Sequence, residues 1–172
     1  MDDPSPAVRA TALGALARAG VLGGDDLRRG LADGDATVRA RAAELCAGQP
    51  GDEAPALGPV LDDGDPAVVE AAAWASGERV PPEPGIVAAL STVVTRHDDP
   101  LCREAAVAAL GALGDPAGLP AVLAATADRP AVRRRAVLAL APFEGPDVEA
   151  ALDRALEDRD WQVRQAAEDI SR

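Results

Sequence analysis

The side chains able to do chemistry are few and far apart in this sequence. His97 is the single histidine, set beside Asp98 and Asp99 in a turn. A metal site needs several ligands at sensible spacing, and an acid–base site needs a nucleophile within reach. Neither accompanies His97, so no catalytic, metal-binding or cofactor-binding residue is expected, no cofactor is implied, and the chain is not read as an enzyme. Cys46 and Cys102 fall on the inward side of a repeating helix, which predicts buried thiols rather than reactive ones. The acidic turn Asp62–Asp63–Gly64–Asp65 lacks the ligand spacing and closing Glu of a calcium loop, and helix capping already accounts for it. All 17 basic residues are Arg, so Schiff-base lysines, P-loop lysines and Ser-x-x-Lys pairs are excluded. What remains is the chemistry of recognition: an indole, Trp74, and several carboxylates that a helical framework would have to bring together.

Composition describes that framework. The chain has 172 residues, 48 % of them apolar, but only 2 % aromatic, so its core must be made of Ala, Val and Leu. Small side chains let helices approach closely. A formal charge of −12 makes the chain a poor default partner for phosphate backbones, and no nucleic acid is expected. No apolar run approaches the ~20 residues of a membrane span. Two cysteines make no disulfide framework. These readings give a soluble, cytoplasmic protein with no membrane partner, and the lack of Lys and Asn fits a GC-rich bacterial genome.

One helix recurs six times. SPAVRATALGAL (5–16) returns as DATVRARAAELC (35–46), DPAVVEAAAWAS (65–76), DPLCREAAVAAL (99–110), RPAVRRRAVLAL (129–140) and DWQVRQAAEDIS (160–171). The anchors Val8, Val38, Val68, Cys102, Val132 and Val163 are spaced by 30, 30, 34, 30 and 31 residues. Three residues before the anchor stand Ser5, Asp35, Asp65, Asp99, Arg129 and Asp160, five of which are good N-caps. Proline follows in four copies, where the first helical position tolerates it. Four residues after the anchor is Ala in every copy, one turn on and on the same face, which implies a close neighbouring helix. Shorter amphipathic stretches fill the intervals, near Gly24–Ala32, Glu53–Leu61, Pro84–Arg96, Pro116–Ala127 and Pro146–Glu157. Joints such as Gly48–Gln49–Pro50–Gly51 and Gly114–Asp115–Pro116 separate them. Two helices per ~30 residues give antiparallel hairpins that bury both faces only by stacking.

The repeated Asp–x5–Arg–x2–Ala–Ala–x–Ala–Leu–Gly pattern resembles HEAT repeats, in particular the short bacterial type of the phycobilisome lyases. The resemblance implies an all-α fold, a right-handed α-solenoid of about six HEAT-like helical hairpins. One domain over 1–172 is expected, with second helices near 5–18, 35–47, 65–77, 99–112, 129–141 and 160–171. It also implies an Asp–Arg ladder, carried over by position as Asp3 with Arg9, Asp33 with Arg39, and Asp158 with Arg164. Val69 replaces the Arg beside Asp63, and His97 and Ala127 replace the Asp beside Arg103 and Arg133, so the ladder is interrupted in the middle copies. The chain opens and closes on a second-type helix. Glu168, Asp169 and Arg172 could cap the last one, whereas the Ala- and Leu-rich first helix belongs to a longer solenoid or packs on a partner or second copy.

With 100° per residue, positions 4, 7 and 8 after the anchor join it on the buried side and positions 2, 6 and 9 point away. In a HEAT-like stack the outward side lines the concave groove. The candidate partner-binding residues there are Trp74, Glu44, Glu70, Glu104 and Arg134, among alanines and glycines such as Gly14. An exposed Trp74 flanked by glutamates suits a Lys- or Arg-bearing segment through cation–π and charge contacts. In the alternative, Trp74 folds into core space left by Ser76, where other copies have Leu. Trp161, at a first helical position, is expected to pack as a staple. Arg133–Arg134–Arg135 reads as one ladder residue and a solvated face. The function expected is a non-catalytic scaffold or regulatory module binding another protein, one that could bear a basic segment. The alternatives are an enzyme subunit like the bilin lyases, or a DNA-binding protein like the HEAT-like DNA glycosylases.

Overall fold

The computed structural model describes residues 3–49 and 54–171. Pro50, Gly51, Glu53 and Arg172, which entered the sequence reading as joint, helix start and cap, lie outside the described residues. The described residues are helices, short 3₁₀ turns and connections, with no strand among them. They form two compact units, 1–86 and 87–172.

In the first unit the helices are α1 (Pro6–Arg18), α2 (Gly24–Leu31), α3 (Ala36–Cys46) and α4 (Pro66–Glu78), with a 3₁₀ turn at Gly58–Asp62. Helix α3 packs on α1, α2 and α4. The amphipathic stretch read at 53–61 is thus only that turn. Gly58 and Pro59 explain why: proline has no N–H for a helical bond, and glycine is a weak helix former. Glu83 holds the turn in place. Its carboxylate accepts from the N–H groups of Leu57 (2.6 Å) and Gly58 (3.1 Å). Buried Arg79 donates to that carboxylate at 3.4 Å and to the carbonyl of Pro55 at 3.0 Å. Gly30 lets α2 approach closely, since a Cβ there would stand 2.7 Å from Ala42 Cβ and 3.0 Å from Leu13 Cδ1.

In the second unit α5 (Ile86–Arg96) leads to α6 (Pro100–Leu113), α7 (Leu119–Ala125), α8 (Pro130–Ala139), α9 (Pro146–Leu156) and α10 (Trp161–Ile170). A 3₁₀ turn at Pro116–Gly118 precedes α7, and α8 packs on both α6 and α10. Gly111 meets Ala139 so closely that a Cβ would lie 2.8 Å from the Ala139 Cα.

The capping column works as its residue types predict in four copies. Asp35, Asp65, Asp99 and Asp160 accept from the N–H groups of Thr37, Ala67, Leu101 and Gln162 at 2.8–2.9 Å. Each such cap contributes about 1 kcal/mol. Ser5 makes no side-chain cap bond, and neither does Arg129. The anchors and their alanines are buried in the last five copies, from Val38 and Ala42 to Val163 and Ala167. The first copy differs: Val8 is 48 % exposed, Ala12 partly exposed and Ala15 exposed.

The ladder is more complete than the positional pairing implied, because it is strung differently. Each aspartate side chain takes the arginine of the preceding copy, and each arginine also reaches a main-chain carbonyl of its own copy. Arg9 grips Asp33 through Nε and Nη2 (2.8 and 2.7 Å), and Arg39 grips Asp63 likewise (2.8 and 3.0 Å). In the second unit Arg103 grips Asp128 (2.6 and 2.8 Å) and Arg133 grips Asp158 (2.9 and 2.8 Å). Nη1 of Arg9, Arg39, Arg103, Arg133 and Arg164 donates to the carbonyls of Asp3, Asp33, His97, Asp128 and Asp158. Ala127 is therefore no gap, because Asp128 does the work. His97 costs the turn nothing either. Its carbonyl serves Arg103, and its Nδ1 accepts the Asp99 N–H at 3.1 Å. Asp33, Asp63 and Asp158 accept in the same way from the residue two positions on.

Candidate functional site

Trp74 is half exposed, 50 % by area, on the outward side of α4. It does not fold into the space beside Ser76, which is buried and donates its hydroxyl to the Ala72 carbonyl at 2.7 Å. Glu70 lies one turn earlier on the same helix and is exposed, with no ion-pair partner among the described residues. Glu44 occupies on α3 the position that Trp74 occupies on α4, and those two helices pack side by side. It is exposed and bound by Arg41 at 2.7 Å. The first unit thus carries three of the five candidate residues on adjacent outward positions of α3 and α4.

The other two stand in the second unit. Glu104 on α6 pairs with Arg135 of α8 at 3.4 Å, and Arg134 is partly exposed. The basic run on α8 divides its labour: Arg133 is a buried ladder residue and Arg135 neutralises Glu104, so only Arg134 of the three lacks an ion pair among the described residues. Trp161 is 65 % exposed, so the staple expected of it does not form.

Sequence reasoning missed a second feature of the first unit. An open cleft of about 530 Å³ lies over α1 and α3, lined by Ala10, Gly14, Arg18, Ala40, Arg41 and Glu44, and bordered by Asp65 and Ala67 where α4 begins. Helical phase puts Gly14 on the outward side, yet it is buried, because two guanidinium groups lie over it. A Cβ there would stand 3.0 Å from Arg41 Nη2 and 3.5 Å from Arg18 Nη1. The signal is present in the angles. Arg41 and Arg18 lie 3 and 10 residues after their anchors, within about 60° of the outward position 6, and columns 2, 6 and 9 alone leave them out.

Ladder carboxylates are acidified in place. Asp33 is drawn down to about 2, first by the guanidinium of Arg9 and then by the Asp35 N–H. Asp63, Asp128 and Asp158 are lowered chiefly by Arg39, Arg103 and Arg133. Burial raises the Cys46 thiol to about 11. No group of three or more His, Cys, Asp or Glu side chains able to hold a metal occurs among the described residues. No helix of the described residues is long and apolar enough to cross a membrane.

The helical repeat has counterparts in known proteins. The sequence matches the HEAT repeat family over residues 54–141, and the chain belongs to that family. No curated protein matches it in sequence. Among solved structures it is similar to a designed armadillo repeat protein in complex with the peptide (KR)4, at 17 % identity and a TM-score of 0.64, over 96 % of this chain and 88 % of the other. An engineered protein solved as a structural-genomics target shares 20 % identity and a TM-score of 0.61, over 92 % and 81 %. Human deoxyhypusine hydroxylase in complex with glycerol shares 21 % identity and a TM-score of 0.51, over 99 % and 80 %. These likenesses are of fold: armadillo- and HEAT-type helical repeats.

Proposed function

We propose that this chain is a non-catalytic protein-interaction module that holds a basic segment of a partner protein on the α3–α4 surface of its first unit. One observation carries the reading. A large indole is left half exposed among small residues, with Glu70 one turn away and Glu44 at the equivalent position of the next helix. An exposed aromatic with uncompensated carboxylate nearby attracts guanidinium and ammonium groups through its face and its surroundings. The peptide (KR)4 held by a designed armadillo protein of similar fold supports the same ligand chemistry. We place the module in the cytoplasm, where buried thiols such as Cys46 and Cys102 stay reduced.

The test is calorimetric titration of the chain with an acetylated, amidated (Lys-Arg)4 peptide. Binding should weaken as salt rises. Trp74→Ala with Glu70→Arg should weaken it by at least about tenfold, the loss of one cation–π contact and one charge contact. Helicity should not change. Equal affinity of the wild type and the double variant overturns the reading.

A further inference from the structure

The cleft over Gly14 carries both signs of charge, Arg18 and Arg41 beside Glu44 and Asp65, and lies in the first unit with the Trp74 surface. Arg18 and Arg41 bring two guanidinium groups to within 3.5 Å of one point above Gly14. Their counter-charge is incomplete. Glu44 takes Arg41 through Nη1 at 2.7 Å, leaving Nη2 over the glycine. Arg18 has no ion-pair partner among the described residues. Asp65, at the cleft border, caps its own helix through the Ala67 N–H and forms no ion pair with either arginine among the described residues. Arg18 and the Nη2 of Arg41 therefore have no carboxylate partner among the described residues. The open cleft above them, about 530 Å³, leaves room for a carboxylate, and a side chain at position 14 would press on Arg41 Nη2.

We propose that this cleft receives a carboxylate of the same partner segment whose basic residues rest on Trp74 and Glu70, so that the unit reads a bipolar peptide. This rests on the reading given under Proposed function. Helices α1, α3 and α4 pack in sequence. Two interhelical steps of about 8–10 Å separate the two ends, a distance that ~5–6 extended residues cover. The ligand class is therefore a peptide with a basic cluster at one end and an aspartate, glutamate or terminal carboxylate about six residues away.

The experiment compares capped (Lys-Arg)4 with the same peptide carrying Asp-Asp beyond a five-residue Gly/Ser spacer, at either end, and with a one-residue spacer. One of the two long-spacer peptides should bind about tenfold tighter than (Lys-Arg)4, the yield of one additional charge-assisted contact. The short spacer should bring no such gain. Arg18→Gln should abolish the gain while leaving (Lys-Arg)4 affinity within twofold. In parallel, a capped tetra-aspartate peptide should shift the arginine Hε NMR signals of Arg18 and Arg41. No gain with either orientation, or a gain that survives Arg18→Gln, overturns the cleft. Failure of (Lys-Arg)4 to bind while tetra-aspartate still shifts those signals removes the basic-segment reading and leaves the anion site. Binding of (Lys-Arg)4 with no arginine shifts does the reverse.

Discussion

Arg133 of α8 closes on Asp158 with Nε and Nη2 2.9 and 2.8 Å from the two carboxylate oxygens, while its Nη1 takes the main-chain carbonyl of Asp128 at 2.8 Å. All five guanidinium donors cannot be satisfied by water here, because Arg133 is only 7 % exposed. Removing the carboxylate strands a nearly buried cation. Asp158→Ala should cost about 2–3 kcal/mol in urea unfolding. Asp153→Ala, at an exposed position with no ion pair among the described residues, should cost under about 0.5 kcal/mol.

Acid should undo the same links. A carboxylate held below its ordinary value contributes its full stabilisation above the unfolded-state pKa and loses it as pH falls toward the folded-state one. For Asp33, at about 2 when folded, that loss spans from about pH 5 to about pH 2. Thermal midpoints of the wild type and Asp33→Asn should differ most above about pH 5 and converge by about pH 2. A constant gap across that range contradicts the assignment.

The repeat period, N-caps and alanine column were legible because each is a local rule that recurs along the chain, the caps forming in four copies and the alanine being buried in five. Capping, helix phase and small-residue contact all signal within one turn of helix. The ladder's true pairing was not legible, because Asp33 and Arg9 are 24 residues apart and only the stacking of copies decides which arginine a carboxylate meets. Trp74 was not legible either: pattern alone left it between groove and core, and the structure leaves it 50 % exposed. For Arg18 and Arg41, helical phase puts each near the outward side, but their convergence over Gly14 depends on how two helices pack.

Close helix approach makes a further demand at Gly111. An added Cβ would fall 2.7 Å from Ala139 Cβ and 2.8 Å from its Cα, so backbone must move. Gly111→Ala should destabilise by about 1–3 kcal/mol despite its better helix propensity. Gly64→Ala, with open space around it, should be neutral or mildly stabilising. Urea midpoints of the two variants report the contrast.

Fluorescence can read the charge around Trp74 directly. With Trp161→Phe as background, Trp74 is the single fluorophore and is half exposed. Relative to free indole, caesium should quench it more and iodide less, because Glu70 gathers cations. Glu70→Arg should reverse that order, and added salt should shrink the difference. A caesium-to-iodide ratio equal to that of free indole means that Trp74 sits in no net field.

Cys46 provides a check on the core. Its thiol is fully buried and raised to about 11, so almost no thiolate exists near neutral pH. An aromatic disulfide reagent should leave it unmodified in the native chain and react promptly in urea. Prompt native-state reaction would mean that the packing around α3 opens readily.

The ladder arginines make two demands of different stringency. On one side they need a carboxylate; on the other they need only a peptide oxygen, which every amino acid supplies. His97 stands before Arg103 at the same separation as Asp33 before Arg39, while Asp128 serves Arg133 from one residue nearer. The turns can therefore drift in sequence, and even lose a residue, without unfastening the copy they belong to. Segments exchanged between copies by recombination should still join, provided the incoming turn brings its aspartate.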